Sequence, residues 1–122
     1  LGAGTGNNTL AINLLNNAEI TASTTGAGQG GSISIAAPQS VSISGNGTLK
    51  AETSSTGNAG ELTIQTPTLT ATGVTISTNT TSTATDAGEG GTLTLGPSGS
   101  GQTFNLNLDN DAEITASTTG AG

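Results

Sequence analysis

The sequence has no cysteine, histidine, methionine, tryptophan or tyrosine, and Phe104 is its only aromatic residue. Without cysteine there can be no disulfide and no thiolate metal site. Without histidine or cysteine, the usual nucleophile–base pairs are missing, so we expect no enzyme activity. Because the chain has so few oxidisable side chains, we expect an extracellular, cell-surface location.

Positive charge and hydrophobic residues are also scarce. Lys50 is the single cationic side chain against eight acidic ones, which leaves a net charge of −7. Binding to a phosphate backbone needs clustered cations, so we expect no nucleic-acid partner. Hydrophobic residues make up 30% of the chain, and no apolar run reaches the length of a transmembrane segment. We therefore expect neither a thick globular core nor membrane insertion.

A long internal repeat is the first positive feature. Residues 1–28 align without a gap with residues 95–122, an offset of 94 residues, and 17 of the 28 positions are identical. The shared stretch ends in AEITASTTGAG in both copies. Self-similarity at a fixed offset is the signature of a repeat architecture.

A shorter period lies inside the long one. The motif small–Gly–polar–aliphatic–polar–aliphatic occurs as GGSISI (30–35), AGELTI (59–64) and GGTLTL (90–95), at spacings of 29 and 31 residues. We therefore divide the single domain, 1–122, into roughly four coils of about 30 residues. Their approximate bounds are 1–29, 30–58, 59–89 and 90–122.

Each coil contains two further alternating runs after this motif. The first reads SVSIS (40–44), TLTAT (68–72) and FNLNL (104–108), and the second reads TLKAETS, VTISTNT and EITASTT. Alternation with period two predicts strands with one face inward, and Gly, Asn and Pro between them predict turns. Three strands per coil predict an all-β fold, a parallel β-helix (β-solenoid), with the right-handed crossover that parallel strands favour.

Stacking of the coils predicts columns of inward aliphatic side chains. Each coil can bury its apolar face only against its neighbours. The expected columns are Ile33, Leu62 and Leu93; Ile35, Ile64 and Leu95; Val41 and Ile43 continuing to Leu106 and Leu108; and Leu49, Ile76 and Ile114 over Ile20. The sequence shows no polar segment to cap either end of these columns, so we expect the native object to be longer than this chain.

The sequence reads NAEITASTTGAGQGG at 17–31 and GQGGSISIAAPQSVSISGNGTLKAET at 28–53. This pattern resembles the repeat region of filamentous haemagglutinin-like exoproteins of two-partner secretion. The resemblance covers essentially the whole chain. It implies the shaft of a filamentous adhesin, a right-handed parallel β-helix displayed on a bacterial surface. The implied partner is the protein itself, through further stacked copies or continuation of the same chain.

Two groups of polar residues are candidate sites. Asp109, Asp111 and Glu113 in LDNDAEI offer oxygen ligands of the kind that Ca²⁺ prefers, although LNNAEI (15–20) lacks both aspartates and favours a solvated turn. Otherwise no cofactor is expected. The other group is an outward Thr and Ser face, which provides the alternative function of binding ice or surface glycans. Its members are Thr21, Ser23, Thr75, Ser77, Thr115 and Ser117.

The two hypotheses predict different behaviour in ice. Lys50 and Glu52 interrupt the columns of the Thr and Ser face, so the shaft hypothesis predicts no thermal hysteresis. Ice binding predicts clear thermal hysteresis that disappears on Thr21→Lys or Thr115→Lys. Measuring the freezing and melting points of the protein solution distinguishes them, and activity lost on either substitution would contradict the shaft hypothesis.

Overall fold

The structure, a computed structural model, describes residues 1–54, 56–81, 89–97 and 99–119. Strands and turns account for all the regular structure in these ranges, so the all-β prediction is confirmed. No helix capable of crossing a membrane is found among the described residues.

Eleven strands follow one another along the described chain. Their bounds are β1 Thr9–Leu14, β2 Glu19–Thr21, β3 Ile33–Ala36, β4 Ser40–Gly45, β5 Thr48–Lys50, β6 Glu61–Gln65, β7 Thr68–Thr72, β8 Thr75–Thr81, β9 Thr92–Gly96, β10 Asn105–Asp109 and β11 Glu113–Thr119. Most alternate inward aliphatic residues with outward Ser, Thr or Asn. These β-branched and small polar residues suit a half-buried pleated strand.

The strands form three parallel sheets in a solenoid-like arrangement. Sheet 1 has the order β1-β4-β7-β10, sheet 2 the order β2-β5-β8-β11, and sheet 3 the order β3-β6-β9. The chain visits the sheets in rotation, and each strand pairs with the strand three elements further along. Parallel neighbours need a crossover connection, and here the other two sheets supply it.

The pairing register places aliphatic residues of successive strands beside one another. In sheet 3, Leu62 pairs with Ile33 on one side and with Leu93 on the other. Ile35, Ile64 and Leu95 form the next row of that sheet. In sheet 2 the row is Ile20, Leu49, Ile76 and Ile114, and in sheet 1 the rows are Leu10, Val41, Leu69 and Leu106, and Ile12, Ile43, Ala71 and Leu108.

In sheet 1, burial follows the number of neighbours that a strand has. Val41 and Ile43 on β4 have paired strands on both sides and are 0% exposed. Leu106 and Leu108 were expected to be core residues, but they are 42% and 46% exposed. They lie in register with the buried Leu69 and Ala71, yet among the described strands β10 pairs with β7 alone, so one side of each leucine is uncovered.

Three strands differ from the sequence prediction. The predicted strand EITASTT at 19–25 is shortened to β2, Glu19–Thr21. The structure adds β1, whose alternating TLAINL pattern is not among the predicted strands. The predicted strand 48–54 is shortened to β5, but main-chain pairing continues beyond it, because Ala51 N–H donates to the Ser77 carbonyl at 3.0 Å and Thr53 N–H donates to the Asn79 carbonyl at 3.1 Å.

The repeated glycine of the GGSISI-type motifs is explained by close main-chain approach. A Cβ atom on Gly60 would overlap the carbonyl oxygen of Gly31, and one on Gly91 would overlap the carbonyl oxygen of Gly60. These three glycines stack on one another where the chain enters sheet 3. Only a residue without a side chain fits between successive main chains at this corner.

Substitution of Gly60 tests this packing. We expect Gly60→Ala to lower the free energy of unfolding by about 1–3 kcal/mol, because the methyl group must displace the main chain of Gly31. Gly26→Ala is the matched control, since nothing lies within 4 Å of a Cβ at Gly26. Urea denaturation followed by circular dichroism measures both, and equal stability of the two variants would contradict the stacked-glycine corner.

Candidate functional site

The acidic stretch at 109–113 forms a left-handed turn between β10 and β11. Asn110 and Asp111 both have positive φ, 51° and 60°. Asn16 and Asn17, the corresponding residues of the first repeat copy, have φ values of 56° and 60°. Consecutive left-handed residues favour Asn, Asp and Gly, because their short side chains tolerate this conformation. The same steric requirement explains the residues in both copies.

The polar groups of this turn bond mainly to their own main chain. The Asn110 N–H donates to Asp109 Oδ1 at 2.8 Å, and the Ala112 N–H donates to the Asp109 carbonyl at 3.2 Å. Asp109, Asp111 and Glu113 are all exposed. In the ranges that the structure covers, no three acidic or histidine side chains come together as metal ligands. The three Ca²⁺ candidates therefore lie on one turn and the strand ends beside it, but they are not gathered into a site.

A shallow polar groove of about 760 Å³ lies on the outer face of sheet 2. It crosses all four strands of the sheet. Its polar lining combines hydroxyl, amide and carboxylate groups with one ammonium group, and includes Lys50, Glu52, Ser77, Asn79 and Ser117.

Charge in the groove is partly neutralised between neighbouring strands. Lys50 Nζ lies 2.9 Å from Glu19 Oε1, with side-chain exposures of 27% and 48%. The Ser77 hydroxyl donates to the Glu52 carboxylate. This contact accounts for the 3% exposure of Ser77, which the sequence analysis placed on the outer face. The one cation of the chain is therefore held against an acid rather than projecting freely.

The Thr and Ser side chains of this face do not form a regular array. Lys50 pairs with Thr21 on one side and with Ser77 on the other, so it occupies the middle of one column. Thr21 and Ser23 hydrogen-bond to each other through their hydroxyls at 2.7 Å. Hydroxyls bonded to each other and broken by charged residues do not present the flat, repeated array expected of an ice-binding face.

Three Asn side chains accept hydrogen bonds from the main chain of a neighbouring part of the repeat. These contacts are not among the sequence predictions. The N–H groups of Asn17, Glu89 and Ser117 donate to Asn46 Oδ1, Asn58 Oδ1 and Asn79 Oδ1 at 3.1, 2.9 and 3.0 Å. These partners are separated by 29, 31 and 38 residues. The three acceptors, Asn46, Asn58 and Asn79, do not recur at the motif spacing, so the sequence offers no periodic signal for these contacts.

A column of threonines lies on the inner side of sheet 2, beyond the aliphatic row. Thr53 forms parallel bridges with Thr24 and Thr80. Thr53 and Thr80 are buried, and the Thr80 hydroxyl donates to the Glu89 carbonyl at 2.7 Å. Threonine supplies a β-branched side chain here while filling less space than Ile or Leu. The interior therefore narrows toward this edge.

Comparison with protein-family models, with curated proteins and with solved structures finds no match for the chain.

Two substitutions of Asp111 distinguish a conformational role of this residue from a role in calcium binding. We expect Asp111→Gly to change the free energy of unfolding by less than about 0.5 kcal/mol. Asp111→Val should lower it by about 1–2 kcal/mol, because a β-branched residue is strained at positive φ. Urea denaturation in calcium and in chelator gives both values. A calcium-dependent rise in stability that Asp111→Gly removes would contradict the turn assignment.

Proposed function

We propose that this chain is a segment of the structural shaft of an extracellular bacterial surface fibre of the filamentous adhesin type. The proposed architecture is a right-handed parallel β-helix of roughly four windings, with about 30 residues and three strands in each. Its role is mechanical rather than enzymatic. Its partner is the protein itself, as stacked copies or as continuation of one chain.

The observation that carries the proposal is that the aliphatic rows of sheets 1 and 2 run through every strand and are less buried at the outer strands than at the inner ones. In sheet 2 the row from Ile20 to Ile114 is fully buried only at Leu49 and Ile76, which lie on the inner strands β5 and β8. A globular domain would cover its outer strands, whereas a solenoid covers each winding with the next. The uncovered rows therefore support extension along the axis.

Stiffness follows from the direction of the hydrogen bonds. Every ladder between parallel strands runs along the stacking direction, in three sheets that support one another through the shared interior. Bending such a rod would stretch the ladders of one sheet and compress the interior beneath another. Repeated main-chain ladders and thin apolar rows thus provide rigidity without a thick core.

The sides of the proposed rod favour solubility. Ser, Thr and Asn occupy most outward positions of the strands, and the net charge of −7 is spread over a chain with only one cation. Like-charged rods repel one another at their sides. Extension along the axis with repulsion at the sides favours long single fibres over bundles.

Ice or glycan binding by the outer face of sheet 2 stays the alternative function. The broken threonine array gives ice binding little support. The polar groove offers hydroxyl, amide and carboxylate groups to which a sugar can hydrogen-bond. No aromatic side chain lines the groove to stack on a sugar ring. The shaft function therefore has the stronger support.

Electron microscopy of the protein purified from its natural source tests the shaft function. We expect long, thin, unbranched fibres with an axial repeat near three strand spacings, about 14 Å. The repeat follows from the 94-residue sequence period, which spans three windings. Compact particles with no fibres under any tested condition would overturn the proposal.

A further inference from the structure

We infer that the free edge of β10 and β11 is a docking surface for a winding that has the sequence of residues 30–58. The inference rests on the proposed fibre function and identifies which winding follows at this surface. The support comes from the first copy of the long repeat, whose strands β1 and β2 pair with strands of the 30–58 winding.

The two copies of the long repeat present equivalent strands. Residues 103–108, TFNLNL, align with TLAINL at 9–14, and AEITASTT occurs in both copies. In the first copy, β1 and β2 are covered by β4 and β5. In the second copy, β10 and β11 pair on their other side with β7 and β8, so no described strand pairs with the edge equivalent to the covered one.

Polar contacts show that the first copy and the 30–58 winding match in detail. Lys50 Nζ bonds to Glu19 Oε1 at 2.9 Å, and the Glu52 N–H donates to Ser23 Oγ at 3.1 Å. Glu113 and Ser117 stand at the equivalent positions in the second copy, 94 residues on. Within the part of the chain that the structure describes, Glu113 has no salt-bridge partner. Ser117 is exposed, and its hydroxyl donates to Asn79 Oδ1 at 3.1 Å, which leaves the hydroxyl oxygen able to accept. The second copy thus keeps the same two acceptor groups on its outer strand.

The apolar part of the surface also calls for a further winding. Leu106 and Leu108 on β10 are 42% and 46% exposed, whereas Val41 and Ile43 on the doubly paired β4 are 0% exposed. A winding that pairs with the free edge of β10 would bring both leucines to the burial of the inner strands. Removing this apolar area from water favours the docked state.

Charge selects the 30–58 winding over the first winding of another copy. In the observed pairing, Thr48 lies opposite Glu19, and Lys50 lies two residues further along. A second copy docked through its first winding in the same register would instead place its Glu19 opposite Glu113. Like charges directly opposite on paired strands are destabilising. The surface therefore discriminates between two windings of similar apolar pattern.

Thiol labelling of longer chains tests the inference, and the absence of native cysteine makes a single-thiol probe straightforward. Leu106→Cys is placed in the full chain, in the full chain followed by a second copy of residues 29–58, and in the full chain followed by a second copy of residues 1–28. A scrambled 29–58 extension is the composition control. Leu15→Cys, at a residue that is 62% exposed, reports that general reactivity is unchanged.

We expect the 29–58 extension to slow labelling of Leu106→Cys at least about tenfold, because burial between paired strands requires opening before reaction. The 1–28 and scrambled extensions should protect it much less, and Leu15→Cys should react alike in all chains. Leu108→Cys repeats the measurement in case one substitution disturbs folding.

The outcomes separate the inference from the fibre function. Stronger protection by the 1–28 extension than by the 29–58 extension would overturn the docking preference and leave axial stacking intact. No protection by any extension, at either cysteine position, would overturn axial stacking and with it the proposed shaft.

Discussion

The structure depends on the fixed register between parallel strands about 4.8 Å apart. At this spacing each inward side chain lies directly against its counterpart on the next strand, as Leu62 lies between Ile33 and Leu93. A row can then be filled by side chains of similar size without any deep core. With 30% hydrophobic residues and one aromatic, the chain has enough apolar volume for such rows and little beyond them.

Small and polar residues make this register specific. Gly60 and Gly91 let main chains approach at the corner before sheet 3, where any side chain would overlap a carbonyl group. On the outside, Asn46, Asn58 and Asn79 accept hydrogen bonds from main-chain N–H groups about one repeat away. A slip by one residue would exchange inward and outward faces and break these contacts together. Packing and polar pairing thus favour the same alignment.

The sides and the outer strands of the sheets have opposite chemical character. The sides carry hydroxyl and amide groups with a few acids, whereas Leu106 and Leu108 leave aliphatic surface uncovered on an outer strand. Such a strand is a template for further pairing. In the proposed fibre, this outer strand pairs with a further winding along the fibre axis. The contacts of Lys50 with Glu19 and of Glu52 with Ser23 indicate which winding is favoured there.

The sequence by itself determined the all-β class, because period-two alternation between Gly, Asn and Pro turns has no helical equivalent. The spacings of 29 and 31 residues also predicted which aliphatic residues share a row. Only the tertiary structure decided how far each residue is buried. Alternation specifies which face of a strand a residue lies on, but not how many strands pair with that strand. The sequence therefore predicts the same burial for Leu106 and Val41, although Leu106 is exposed. In the same way, alternation predicts that Ser77 faces outward, and only the structure shows that the Glu52 carboxylate covers it. The sequence favours a turn at Asp111, and the structure adds that this turn is left-handed.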